Sequence, residues 1–135
     1  MIRIVRLGTP RLPDEGTRIG TVRRPPRGVP KSEFASGNWY DTWFPNLSPS
    51  PELVKRALAA QADPSAAGER EWAAFTRGFR AEMARPDNAH AIALLAALSQ
   101  HSNLSVGCYC EHEARCHRSI LRALLRDAGA RIAEG

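Results

Sequence analysis

The stretch at residues 104–129 constrains the fold more than any other part of the chain. Leu104, Val106 and Cys108 alternate with Ser105, Gly107 and Tyr109, the period of two that marks a strand. From Ile120 the period lengthens, so that Leu121, Leu124, Leu125 and Ala128 share one helical face, and Gly129 is a stop signal. A strand therefore runs through a loop into a helix. The loop and its edges hold all three cysteines, Cys108, Cys110 and Cys116, with His112 and His117, and beside them Glu111, Glu113, Arg115 and Arg118. The turn leaving the carboxyl end of a sheet strand is where open α/β proteins place their ligands.

The rest of the chain supplies the remaining elements. Ile2, Ile4 and Leu7 begin a strand over residues 2–7, and Pro13-Asp14-Glu15-Gly16 is turn chemistry. A second strand is expected over 18–23, ending at Arg23-Arg24-Pro25-Pro26-Arg27-Gly28, because proline has no ladder donor. Ser50 as N-cap, Pro51 and Glu52 open a helix near 51–62. Trp72, Phe75, Phe79 and Met83 form the apolar stripe of a second, near 69–84, in which Glu82 is expected at the surface. A third follows near 87–100 and the last near 117–128. At 135 residues this is one α/β domain, two- or three-layered, with a short, mainly parallel sheet (2–7, 18–23, 104–109) packed with about four helices. Residues 29–50 are rich in aromatic side chains without a clean period. They are expected to cover the core, with Trp39 and Tyr40 the two best placed to line a pocket instead.

Lys plus Arg outnumber Asp plus Glu by 19 to 14, for a net charge of +5, and only Lys31 and Lys55 are lysines. An arginine excess offers planar donor forks to phosphate and carboxylate, which points to an anionic small molecule or a nucleic acid as partner. No apolar run is long enough for a membrane span and no signal-peptide profile is visible. The expected location is cytoplasmic, where an odd number of cysteines stays reduced.

Three chemistries compete for the cysteine loop. As a reactive site, Cys116 or Cys110 is the nucleophile, with thiolate character favoured at a helix amino end, and His117 moves the proton. Arg118, Ser119, Arg27, Arg24 and Arg115 then bind the anion. The loop is not that of a phosphatase, since Cys110 and Arg115 enclose four residues rather than five. As a zinc site, Cys108, Cys110, Cys116 and His117 are the correct donor types, but they form a single knuckle where zinc sites usually draw on two. No metal and no other cofactor is assigned on this reading. As plain structure, the cysteines fill strand positions and the arginines form a solvated face. A different class of function is a nucleic-acid-binding module that stacks bases on Trp39 or Tyr40.

With those residues in view, the chain resembles the bacterial family known as domain of unknown function 488, particularly its YeaO-like branch. The likeness rests on Pro26-Arg27-Gly28 after a strand, on Trp43 followed by Ser48-Pro49-Ser50, on Trp72, Phe75, Phe79, Glu82 and Met83, and on a strand ending in cysteine before Cys116-His117-Arg118. It implies a small α/β domain with the Cys-His-Arg loop as its site. Phe79 stands where that family commonly has tyrosine, which removes a hydroxyl from the site the resemblance implies.

Overall fold

The computed structural model describes residues 1–134. Four parallel strands, β1 (Ile2–Arg6), β2 (Thr17–Gly20), β3 (Thr42–Trp43) and β4 (Leu104–Cys108), lie in the order β1-β4-β2-β3. Four helices accompany them: α1 (Pro51–Ala62), α2 (Ala66–Met83), α3 (Pro86–Leu98) and α4 (His117–Asp127). The last strand to form in sequence is thus central in space, paired on one side with Ile2–Arg6 and on the other with Thr17–Gly20. Every residue of β4 is buried, as expected of a parallel strand covered on both faces.

Register decides what each face carries. Ile2 pairs with Leu104, while Ile4 and Ile19 both pair with Val106, so these apolar side chains share one face. All four helices pack on it through Leu53, Phe75, Phe79, Ile92 and Leu121 in one continuous core. The opposite face carries Arg18, Gly20, Ser105 and Gly107, and it is closed by irregular chain, including Tyr40. Gly20 is required there: a Cβ would run into the Tyr40 ring.

That second face is organised by charge. Arg18 and Glu15 are 0% and 2% exposed and form a fork-like pair, Nε to Oε2 at 2.7 Å and Nη2 to Oε1 at 2.9 Å. Ser105 Oγ donates to the same carboxylate at 2.8 Å, and Arg18 Nη1 donates to the carbonyls of Thr9 and Asn38 at 2.9 and 2.7 Å. A buried charge is tolerable only when its hydrogen-bonding capacity is filled in this way. The pair fastens the turn before β2, the loop after β1 and the aromatic segment onto the sheet.

The expected helices are present with small shifts. The second starts at Ala66 because Ser65 caps it, its side chain accepting from the Ala67 N–H. The first two strands are shorter than the 2–7 and 18–23 of the sequence reading, since β2 ends at Gly20 and the chain then swings toward the site. The two-residue strand Thr42–Trp43 was not expected, being too short to show a period. Tyr40 is core, at 3% exposure, and not a pocket residue. Glu82 is not a free surface carboxylate: it accepts the Ser50 N–H at 3.0 Å and so joins α2 to the start of α1. No helix among the described residues is long and apolar enough to cross a membrane.

Candidate thiol site

Strand β4 delivers Cys108 to the carboxyl edge of the sheet, and Tyr109 and Cys110 follow as the chain leaves it. The loop then returns so that Cys116, in extended backbone, becomes the N-cap of α4. Arg115 fixes its position by donating from Nη1 to the carbonyls of Ala60 and Asp63, the latter at 2.8 Å. Both carbonyls lie at the end of α1, where backbone acceptors run short of helical donors; that of Ala60 also accepts the Asp63 N–H at 3.4 Å. Glu113 braces the other side, accepting from Arg122 of α4 at 2.6 and 2.8 Å. Gln61, in the last turn of α1, donates to the Arg115 carbonyl at 2.8 Å and approaches the Cys110 sulfur at 3.5 Å.

This framework draws the three thiols together. Their sulfurs all lie within 4.8 Å of one another, with Cys108 and Cys110 3.7 Å apart. Cys108 and Cys116 are buried, whereas Cys110 is half-buried. The three share their protons unequally. The thiols of Cys108 and then Cys116 donate toward Cys110, and with the Gln61 amide they hold it far below the ordinary thiol range despite partial burial. Donation to Cys110 and then Cys116 pushes the Cys108 thiol up, and burial adds to this. At Cys116 a lowering contact with Cys108 is outweighed by Cys110 and burial, so its pKa is raised. One negative charge on Cys110, supported by two S–H groups, is the stable arrangement.

His117 continues the cluster inward. Its Nε2 lies 2.8 Å from the Thr21 carbonyl and 3.2 Å from Thr21 Oγ1, whose own proton goes to the Gly107 carbonyl at 2.9 Å. Both neighbours therefore act as acceptors, so Nε2 carries the proton and Nδ1 is bare, facing the Cys116 sulfur at 3.7 Å. Burial lowers the imidazole pKa to about 4, only partly opposed by the Cys110 charge and the Thr21 carbonyl. Arg118 points to the cluster from below, Nε to the Cys116 sulfur at 3.4 Å and Nη2 to the Cys110 carbonyl at 2.6 Å.

A cavity of about 450 Å³ opens over these groups. Cys108, Cys110, Cys116 and His117 line its inner end, Val54, Leu58 and Phe75 supply apolar wall, and Arg23, Arg24 and Lys55 make it basic. Cys110, Cys116 and His117, expected from the sequence as the reactive residues, stand together beside this hollow. The cationic residues divide. Arg24 lines this cavity, but Arg27 lines a neighbouring one. Arg118, at 3% exposure, faces the thiols and not the cavity, Ser119 donates to the Cys116 carbonyl at 2.9 Å, and Arg115 braces the loop. Thr21 and Gln61 are the contributors that sequence reasoning missed. A polar Gln61 on the otherwise apolar stripe of α1 was the available signal, and Thr21 offered none.

The three sulfurs are also the residues that could hold a soft metal ion. Their separations suit a shared thiophilic centre, with His117 Nδ1 close to one of them only.

Residues 2–129 match the family described as the active DUF488-N3 subclade, DUF488-N3a. The chain belongs to the DUF488 family. No curated protein and no solved structure matches it. The match spans every strand and helix described above, so the thiol cluster and the cavity over it lie within the DUF488 domain.

Proposed function

We propose that this DUF488 protein is a thiol-dependent enzyme in which Cys110 is the nucleophile toward an anionic substrate held in the basic cavity. The observation that carries the reading is the setting of the Cys110 sulfur. It borders the cavity while Cys108 lies 3.7 Å away and the Gln61 amide 3.5 Å away, both as donors. A nucleophile supported in this way is ionised before substrate arrives. The Cys110 sulfur forms the new bond, the leaving group departs with its electron pair, and the S–H of Cys116, whose sulfur lies within 4.8 Å of that of Cys110, protonates it. Cys116 regains its proton from solvent, while His117, bare at Nδ1 and 3.7 Å from the Cys116 sulfur, stays neutral beside it. Arg118 holds the Cys116 sulfur in place. The family's description as active supports an enzymatic reading.

Alkylation by iodoacetamide tests it. Cys110 should react at a rate nearly independent of pH from 5 to 8, whereas an ordinary thiol of pKa about 8.5 speeds up about a thousandfold over that range. Cys110→Ser should abolish the fast phase with an unchanged circular dichroism spectrum. A Cys110 rate that climbs tenfold per pH unit defeats the proposal. The proximity of the three sulfurs favours one other reading, a thiolate metal site, which requires stoichiometric metal in protein purified without chelator and loss of that metal in Cys108→Ser.

A further inference from the structure

A second cavity, of about 660 Å³, adjoins the first. Tyr109 and Arg24 line both. Its cationic residues are Arg6, Arg24 and Arg27, and no acidic side chain lines it. None of the three arginines has a carboxylate within ion-pair distance among the described residues. Arg6 uses only its Nε, toward the Tyr109 carbonyl at 3.3 Å. Like charges gathered without counter-charge repel one another, and an arrangement of this kind is stabilised by an anion that bridges them.

The cavity is also aromatic and stiff. Trp39 and Tyr109 meet edge to face with ring centroids 6.0 Å apart. Trp39 rests on Gly8, where a Cβ would approach the indole to 2.8 Å and where φ is +87°, so only glycine admits the ring at that depth. Tyr109 is held by its hydroxyl, which donates to the Arg24 carbonyl at 2.8 Å, and Pro25-Pro26 fix the backbone that carries Arg24 and Arg27. Guanidinium groups beside rigid ring systems are the combination that recognises a phosphate joined to a planar base.

We infer that this second cavity is a nucleoside-phosphate subsite, with the base against Trp39 and Tyr109 and the phosphate on Arg6, Arg24 and Arg27. The inference rests on the thiol-enzyme reading in one respect: Tyr109 and Arg24 separate the two cavities, so a ligand seated here directs its reactive end toward Cys110. A nucleoside phosphate has two sources, a free nucleotide or one unit of a single strand.

Calorimetric titration of the full chain distinguishes them, using inorganic phosphate, ribose 5-phosphate, adenosine and uridine 5′-monophosphates, and a ten-residue single-stranded oligonucleotide. At least one monophosphate or the oligonucleotide should bind about tenfold or more tightly than ribose 5-phosphate, the usual contribution of one stacked base. Arg27→Gln, at an exposed position with no side-chain partner among the described residues, should weaken binding by about fivefold to thirtyfold with an unchanged melting temperature. Trp39→Leu should remove the preference for a base. Mononucleotide affinity equal to that of the oligonucleotide identifies the free nucleotide as the source; oligonucleotide binding alone, weakening steeply with salt, identifies the strand. Bound ligand should also slow alkylation of Cys110. Fast Cys110 alkylation without any preference for a base overturns this inference and leaves the thiol reading intact, whereas base-selective binding beside a sluggish Cys110 does the reverse. Binding that is indifferent to Arg27→Gln overturns the subsite as placed.

Discussion

Tyr40 carries its hydroxyl into a cluster of Leu7, Val22, Cys108 and Cys116, where the oxygen is buried without a hydrogen-bond partner among the described residues. Burial pushes the phenol pKa up, so the group stays neutral and the loss is that of an unmade hydrogen bond. Its ring is what the site needs, since it lies over Gly20 and meets Phe34 edge to face at 5.2 Å. Tyr40→Phe keeps the ring and removes the unpaired oxygen, so stability should be unchanged or higher by up to about 1 kcal/mol. Urea denaturation at pH 7 reads the difference directly. A loss of about 2 kcal/mol or more would mean that the hydroxyl is hydrogen-bonded after all.

At the scale of elements, the turn entering β2 shows what a sequence conceals. Pro13-Asp14-Glu15-Gly16 reads as a turn and Arg18 as the first residue of a strand, yet Glu15 and Arg18 are among the most buried residues of the molecule. Nothing in their spacing announces Ser105, which is contributed by a strand about ninety positions later. The helices were legible because their apolar stripes and proline starts are local, and the cysteine loop because its residues are close in sequence. The split of the arginines between cavity lining, thiol support and loop brace was not, since one guanidinium looks like another until its partners are known. Burial would raise the Glu15 pKa, but hydrogen bonds from Arg18 and Ser105 bring it below the usual carboxylate range. Glu15→Gln leaves Arg18 as a buried, incompletely paired charge and should cost about 3–5 kcal/mol at pH 7. The double replacement Glu15→Leu with Arg18→Met should cost less than Glu15→Gln alone; equal or greater loss in the double variant would show that the pair contributes more than it costs to bury.

For the whole molecule, His117 joins the site to the core, because its ring lies edge-on to Phe79 at 5.5 Å while its nitrogens face Thr21 and Cys116. The same residue sets a dependence of folding on pH. In the unfolded chain the imidazole takes up a proton near pH 6.5, but in the folded protein only near about 4, because charging it inside the core is unfavourable. Between those values the unfolded state binds more protons, so stability must fall as the pH falls. The shift corresponds to about 3 kcal/mol lost between pH 6.5 and 4, a large share of the ~5–15 kcal/mol that stabilises a domain. Glu15 acts in the same direction in a lower window: its folded pKa is depressed, so its contribution is complete above the unfolded value of 4.5 and lost below it. Denaturant unfolding at half-unit steps from pH 7.5 to 4 should therefore give a declining stability that steepens below 4.5. In His117→Gln, whose amide can still donate to the Thr21 carbonyl, the decline between 6.5 and 4.5 should flatten. An unchanged slope in that variant would assign the acid sensitivity to carboxylates alone and would mean that His117 is able to hold a proton in the folded protein.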